Sequence, residues 1–141
     1  MVREHCRSLA LALDEPTRER IGDDAAERMW GVSGYFEQLD GELNIEFLRR
    51  YRRAYGRFAP PVSSISESTY EAVHLYAAAA RRAGTDEPGH VAGELRRGRF
   101  DFPRGTVTMD GAVGMHQQLY LAEATARGFA VTPAPGRVSR R

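Results

Sequence analysis

The strongest pattern in the sequence lies in residues 66–84, where apolar and small side chains recur with the period of an α-helix. Tyr70, Val73 and Ala77 mark one apolar line, and a second line that includes Tyr76 runs beside it. Together they form a stripe wider than a surface helix needs. Four consecutive alanines in this stretch would leave the backbone close to its neighbour. We therefore predict a buried helix that lies on a sheet.

A second helical pattern covers residues 43–55, with apolar side chains such as Phe47 and Tyr51 on one face. Its other face is basic, and basic residues interleaved with tyrosines are compatible with nucleic-acid binding. Glu42 and Glu46 precede this face, so a solvated helix explains the pattern equally well. We predict no nucleic-acid partner. The basic residues are Arg49, Arg50, Arg52 and Arg53.

Shorter patterns fill the rest of the chain. Asp14 or Glu15 caps a helix that has Pro16 at its first position and ends at Gly22. The turn signals and apolar runs predict the other elements. These are a strand or helix remnant at 8–13, a strand at 29–36, a helix after Pro88, a strand or hairpin at 100–109, a final β-hairpin of 118–123 with 129–132, and a disordered tail at 133–141.

Composition limits the classes of function. The 141 residues are 42% hydrophobic, which suffices for the core of one ordinary domain. A net charge of +1 does not demand a polyanionic partner. Cys6 is the single cysteine, which excludes an intramolecular disulfide and a cysteine-based zinc site. The chain as written has no convincing signal peptide, so we expect it to remain in the cytoplasm.

Signals for catalysis are weak. The sequence has no nucleophile elbow, no glycine-rich phosphate loop and no helical pair of histidines. Asp14 and Glu15 are adjacent, but acidic residues at a helix start are more typical of capping than of acid–base chemistry. We predict that the protein is not an enzyme and that it holds no metal and no cofactor.

Several blocks carry a resemblance to a known family. They occur in the order LDEPTRERIG, GDDAAERMWGVSGYF, FLRRYRRAYG, STYEAVHLYAAAARRAGTDEP and FDFPRGTVTMD. This order resembles the C-terminal part of type I periplasmic-binding proteins over residues 9–131. Within that family the chain is most similar to the branch that binds urea, short aliphatic amides and branched-chain amino acids, which includes amide-sensing regulators of amidase expression.

The resemblance implies an α/β fold of the periplasmic-binding-protein-like I class, with a Rossmann-like three-layer lobe and a C-terminal β-hairpin. Such proteins have two lobes joined by three crossovers, and the ligand lies in the cleft between them. Residues 29–36 correspond to the second crossover. Most of both lobes would lie upstream, so residues 1–132 form a truncated domain. We therefore expect weak or absent ligand binding by this chain alone, and self-association through exposed apolar edges.

The resemblance also points to three ligand-binding residues. Glu67 lies three positions before Tyr70, where the family has a residue that faces the cleft, and its carboxylate would accept hydrogen bonds from an amide or an ammonium. The alternative role of Glu67 is to complement the helix dipole. Tyr35 and Phe36 would line the cleft at the crossover, or else pack in the core. Arg28 departs from the small residue or glycine that the family has before this strand.

These observations favour a solute-binding module derived from the substrate-binding component of an ABC-type importer for urea, short-chain amides or amino acids. Its partners would be a small solute and, for the full-length parent, an ABC permease. The parent would then act in the periplasm or elsewhere outside the cytoplasm. The alternative is a cytoplasmic amide-sensing regulator of amidase expression.

Overall fold

Helices and strands are mixed along the chain in a computed structural model that describes residues 7–110 and 114–135. None of the helices in this part of the chain combines the length and the hydropathy of a membrane-spanning segment. The helices are α1 (Glu15–Ile21), α2 (Asp23–Ala26), α3 (Glu42–Tyr55), α4 (Ser64–Ala83) and α5 (Pro88–Arg97). The strands are β1 (Ser8–Ala10), β2 (Met29–Ser33), β3 (Arg99–Phe102), β4 (Gly105–Asp110), β5 (Gly114–His116), β6 (Tyr120–Thr125) and β7 (Gly128–Pro133).

The strands form two sheets. The four-stranded sheet has the order β1-β2-β6-β7, in which β1 and β2 are parallel and the other pairs are antiparallel. The three-stranded sheet has the order β3-β4-β5 and is antiparallel throughout. The described chain passes between the sheets twice, once after β2 and once between β5 and β6. These two crossings connect the halves of the fold.

Each sheet has its own core. Phe36 and Phe129 pack against each other beside the four-stranded sheet, with ring centroids 5.1 Å apart. Ala79 of α4 and Val91 of α5 pack against Phe100 of the three-stranded sheet. The alanine run of α4 allows this close approach, because a methyl side chain keeps the two helix backbones near each other. The predicted α/β fold class is confirmed.

The prediction that α4 is a buried helix is wrong. Glu67, Glu71 and Ala79 are its buried residues, whereas Val73 is 63% exposed and Tyr76 is 51% exposed. Helix α4 packs against α5 along one side. The wide apolar stripe is therefore only partly covered by the residues that the structure describes.

The capping, proline and glycine residues in the sequence predict most of the helix ends correctly. Asp14 caps α1 through a hydrogen bond from the Thr17 amide, as predicted. Two later helices are capped by residues other than those the sequence suggests: Ser63 caps α4, where Ser66 or Ser68 is predicted, and Glu87 caps α5, where Thr85 or Asp86 is predicted. Each capping residue has an extended backbone and directly precedes its helix. Several polar residues nearby could also supply a capping oxygen, so the sequence alone does not single out the cap.

The final hairpin formed by β6 and β7 confirms the prediction for the C-terminal region. Strand β7 extends to Pro133, one residue into the predicted tail, and residues 136–141 lie outside the described part of the chain. The predicted hairpin around Pro103 is also present as β3 and β4. Before β2, Arg28 has a φ of 67°, the left-handed conformation that favours glycine. The turn that the family resemblance implies is therefore formed by an arginine.

Candidate functional site

Two glutamates of α4 lie inside the protein. Glu67 is fully buried and Glu71 is 1% exposed. Their spacing of four residues puts them on the same face of the helix, in line with Leu75 and Ala79 of the adjacent core. The buried face of α4 is therefore apolar towards its C-terminus and acidic towards its N-terminus.

Arg104 comes from the turn between β3 and β4 and reaches both glutamates. Its Nη2 atom donates to Oε2 of Glu67 and, over 2.5 Å, to Oγ of Ser68. Its Nε atom lies 2.8 Å from Oε2 of Glu71, but the N–H does not point at that oxygen. Arg104 is itself 4% exposed. We call Glu67, Glu71 and Arg104 the carboxylate–arginine cluster.

The charges of this cluster do not balance when both glutamates are ionised, because two carboxylates share one guanidinium. Oε1 of Glu67 and Oε2 of Glu71 are buried and have no aligned hydrogen-bond donor in the described structure. Burial raises the pKa of both glutamates, and Arg104 partly opposes this shift. The Glu67 carboxylate also raises the pKa of Glu71. The cluster thus has spare acceptor capacity in a dry environment.

The cluster lies where the two halves of the fold meet. Nη1 of Arg104 donates to Oε1 of Gln117, which belongs to the crossing between β5 and β6. Gly34 follows β2 in the other crossing, and a Cβ atom there would lie 2.9 Å from Nη1 of Arg104. The Tyr120 hydroxyl donates to the Arg104 carbonyl over 2.7 Å. Arg104 therefore contacts both crossings.

Arg104 also lines an open cavity of about 510 Å³. The rim of this cavity carries three exposed acidic residues, Asp40, Glu42 and Asp101. Tyr120 forms part of its wall. An acidic rim attracts cationic solutes and repels anionic ones. The cavity is large enough for a small solute, and Arg104 joins it to the two buried carboxylates.

Tyr35 is fully buried and belongs to a polar network at the start of α3. Its hydroxyl donates to Oδ1 of Asn44 over 2.9 Å, and Nδ2 of Asn44 donates to the carbonyls of Glu37 and Leu39. Burial is the main cause that raises the pKa of Tyr35; the carboxylates of Glu37, Glu15 and Glu67 add to it, and Arg104 opposes it. Glu67 and Arg104 of the cluster thus act on Tyr35 in opposite directions. Its predicted contact with a ligand stays a prediction.

Phe36 is fully buried against Phe129 in the core of the four-stranded sheet. Its surroundings are apolar and include Leu13 and Ala122. Neither Tyr35 nor Phe36 lines the 510 Å³ cavity. The structure thus brings Glu67 together with Arg104, whereas the Phe36 ring lies in a core. The role of Phe36 in ligand binding remains a prediction.

Replacing Tyr35 with phenylalanine should lower the free energy of unfolding by about 1–3 kcal/mol, because Oδ1 of the buried Asn44 loses its donor. Urea denaturation followed by circular dichroism measures the change. A Tyr55→Phe variant is the control, since Tyr55 is 72% exposed. Equal stability of the two variants would show that the Tyr35 hydroxyl does not support this network.

Sequence reasoning identified Glu67 but missed Glu71 and Arg104. The signal for Glu71 was its spacing, because residues 67, 71, 75 and 79 follow one another at four-residue intervals on one helix face. Arg104 gave no local signal, since its partners lie on another element. No group of three histidine, cysteine, aspartate or glutamate residues is placed to hold a metal ion within residues 7–110 and 114–135.

Comparison with known proteins gives one family. A family model described as "Periplasmic binding protein" matches residues 2–128, which is most of the chain. No curated protein matches.

Three solved structures with the same fold come from proteins longer than this chain. An amino acid ABC transporter substrate-binding protein from Pseudomonas fluorescens is 18% identical, with a TM-score of 0.80 over 98% of this chain and 40% of that one. An ABC transporter substrate-binding protein from Desulfitobacterium hafniense, in complex with leucine, is 25% identical, with a TM-score of 0.64 over 77% and 32%. A solute-binding protein from R. palustris, in complex with benzoate, is 22% identical, with a TM-score of 0.69 over 82% and 32%. The chain thus spans 32% to 40% of these proteins.

Proposed function

The chain belongs to the periplasmic binding protein family, and from that premise we propose that it supplies part of the solute-binding component of an ABC-type importer. Its similarity to longer solute-binding proteins supports this role. The chain corresponds to 32% to 40% of the length of those proteins, so a complete site would need further polypeptide. The partner of the complete protein would be a membrane permease, and its place of action would be outside the cytoplasm.

The ligand is a small solute that carries N–H donors, such as an amino acid, urea or a short amide. The observation that carries this proposal is Oε1 of Glu67, a fully buried carboxylate oxygen without a donor. A buried acceptor of this kind is stabilised strongly by a charged or neutral N–H group. The acidic rim of the cavity beside Arg104 favours the same ligands over anions.

Solute binding would act on the two crossings between the sheets. Arg104 contacts Gln117 in one crossing and lies against Gly34 in the other. A solute that forms a hydrogen bond with Glu67 must rearrange the hydrogen bonds of Arg104. This rearrangement favours one position of the four-stranded sheet relative to the three-stranded sheet. A ligand shifts such an equilibrium only by its difference in affinity for the two states. The change would then be passed to the permease.

The proposal is tested by nuclear magnetic resonance titration of the chain with leucine, valine, urea, acetamide and benzoate. We expect leucine or an amide to bind with a dissociation constant of about 1 mM or weaker, which corresponds to roughly −4 kcal/mol. The Glu67→Gln variant should lose this binding. The matched control is Glu46→Gln, since Glu46 is an exposed helix residue paired with Arg49.

Two results would contradict the proposal. One is that no solute in the panel shifts the signals of residues in the cluster. The other is that Glu67→Gln binds as well as Glu46→Gln. A dissociation constant well below 1 mM would contradict our expectation that this chain alone binds weakly. Nothing in the fold favours the alternative of an amide-sensing regulator, which stays a prediction.

A further inference from the structure

The carboxylate–arginine cluster has a charge problem that ligand binding alone does not resolve. The side chains of Glu67 and Glu71 are 0% and 2% exposed, and that of Arg104 is 5% exposed. Two ionised carboxylates and one guanidinium would leave one uncompensated negative charge in this dry site. An isolated buried charge is costly enough that a group usually becomes neutral instead.

Among residues 7–110 and 114–135, few charged groups face the two carboxylates. Arg104 approaches from the turn between β3 and β4, and each glutamate faces the other from the adjacent turn of α4. Ser68 and Gln117 accept hydrogen bonds from the Arg104 guanidinium, the Tyr120 hydroxyl donates to the Arg104 carbonyl, and all three side chains are uncharged. One positive charge from Arg104 therefore faces two carboxyl groups.

We propose that the empty cluster holds one proton on the Glu67–Glu71 pair and exchanges it for the cationic amino group of the solute. This inference rests on the proposed function, because it needs a solute that reaches the cluster. The proton keeps the empty cluster neutral, with one carboxylic acid, one carboxylate and one guanidinium. Oε1 of Glu67, which has no donor, is the main acceptor for the incoming ammonium, and Oε2 of Glu71 lies 2.8 Å from Nε of Arg104 without an aligned N–H.

The exchange conserves charge. The O–H bond of the protonated glutamate breaks, its proton passes to water, and both bonding electrons stay on the carboxylate oxygen. The ammonium of the solute then takes the place of the lost positive charge, and no covalent bond to the solute forms. The two glutamates titrate as one coupled pair, so the proton belongs to the pair and not to either residue.

This mechanism selects among solutes by charge. A primary ammonium, as in an amino acid, replaces the proton without changing the charge of the cluster. A solute such as benzoate has only a carboxylate and would add a second negative charge beside the pair. The cluster therefore favours amino-bearing solutes and disfavours aromatic acids without an amino group.

The first measurement follows the carboxyl groups directly, by nuclear magnetic resonance of chain labelled with ¹³C at the glutamate side-chain carboxyls. Glu15→Gln serves as the background, because burial raises the pKa of Glu15 to about 7 and its carboxylic acid would overlap the signal sought. Near neutral pH we expect one further protonated carboxyl, which disappears in Glu71→Gln. Methylammonium chloride or leucine should convert that carboxyl to the ionised form, and sodium benzoate should not.

The second measurement is the pH dependence of leucine affinity. Release of one proton per solute predicts that the association constant rises about tenfold per pH unit below the pKa of the pair. The Glu71→Gln variant has a neutral cluster without a proton, so its affinity should not change with pH in the same range. The control Glu46→Gln should keep the pH dependence of the parent.

The two proposals fail differently. Two ionised carboxyls in the solute-free cluster would overturn the proton exchange, and so would leucine binding that leaves the protonated carboxyl unchanged. The solute-binding proposal would survive both results. A cluster that holds its proton while no solute binds at any concentration would contradict the solute-binding function itself.

Discussion

Replacing Arg104 with methionine is expected to lower the free energy of unfolding by about 3–5 kcal/mol, because it removes the cation that faces two buried carboxyl groups. Methionine preserves much of the side-chain volume, so the change isolates the loss of charge and hydrogen bonds. The Arg104 guanidinium also donates hydrogen bonds to Ser68 and Gln117, and both side chains lose this donor in the variant. Urea denaturation followed by circular dichroism measures the loss.

The control for this change is Arg97→Met, since Arg97 is 74% exposed at the side chain and pairs with Glu94 on the surface of α5. An exposed pair of this kind contributes little to stability. Combining Arg104→Met with Glu67→Gln and Glu71→Gln should recover part of the loss, because the buried charges are then gone. If Arg104→Met is as stable as Arg97→Met, the cluster does not hold the fold together.

Glu15 is expected to make the protein less stable as the pH rises. It is 6% exposed, its Oε1 accepts from the Glu37 amide over 2.5 Å, and its Oε2 is buried without a donor. Burial raises its pKa from 4.5 to about 7. A raised pKa in the folded state means that the folded protein binds the proton more tightly than the unfolded chain. The stabilisation is therefore complete below pH 4.5 and is lost as the pH rises through 7.

The size of this loss is at most roughly 3–4 kcal/mol, from 1.36 kcal/mol for each unit of pKa shift. Thermal unfolding of the parent and of Glu15→Gln, each at a series of pH values between roughly 4 and 9, measures it. Glutamine keeps an acceptor for the Glu37 amide but carries no charge, so its stability should fall less with pH. The cluster glutamates also have a raised pKa, and the difference between the two proteins removes their contribution. Parallel curves for both proteins would contradict the assignment to Glu15.

The elements that the sequence predicts well are those specified locally. Helix α3 and the hairpin of β6 and β7 follow from periodicity and turn residues over a few positions. The same applies to the Asp14 cap of α1. The exposure of α4 was not predictable in this way, because periodicity shows which side chains are apolar and not whether a neighbour covers them.

The cluster shows why the candidate site was only partly predictable. The family resemblance points to Glu67, and the competing role is to complement the helix dipole. Its partner Arg104 lies 37 residues away, in a turn where an arginine is unremarkable by sequence. Only the folded arrangement of α4 against the β3–β4 turn brings the charges together. Burial of Glu71 depends on the same arrangement, although its four-residue spacing from Glu67 was visible.

The most direct test of the account is the nuclear magnetic resonance signal of the Arg104 Nε–H group during titration with leucine. Arg104 contacts Glu67 and lines the adjacent cavity, so a solute that uses this site must change the surroundings of its guanidinium. We predict that the Arg104 signal shifts in a saturable way while that of the exposed Arg97 stays fixed. Saturable leucine binding that leaves the Arg104 signal unchanged would place the solute elsewhere and contradict the central claim.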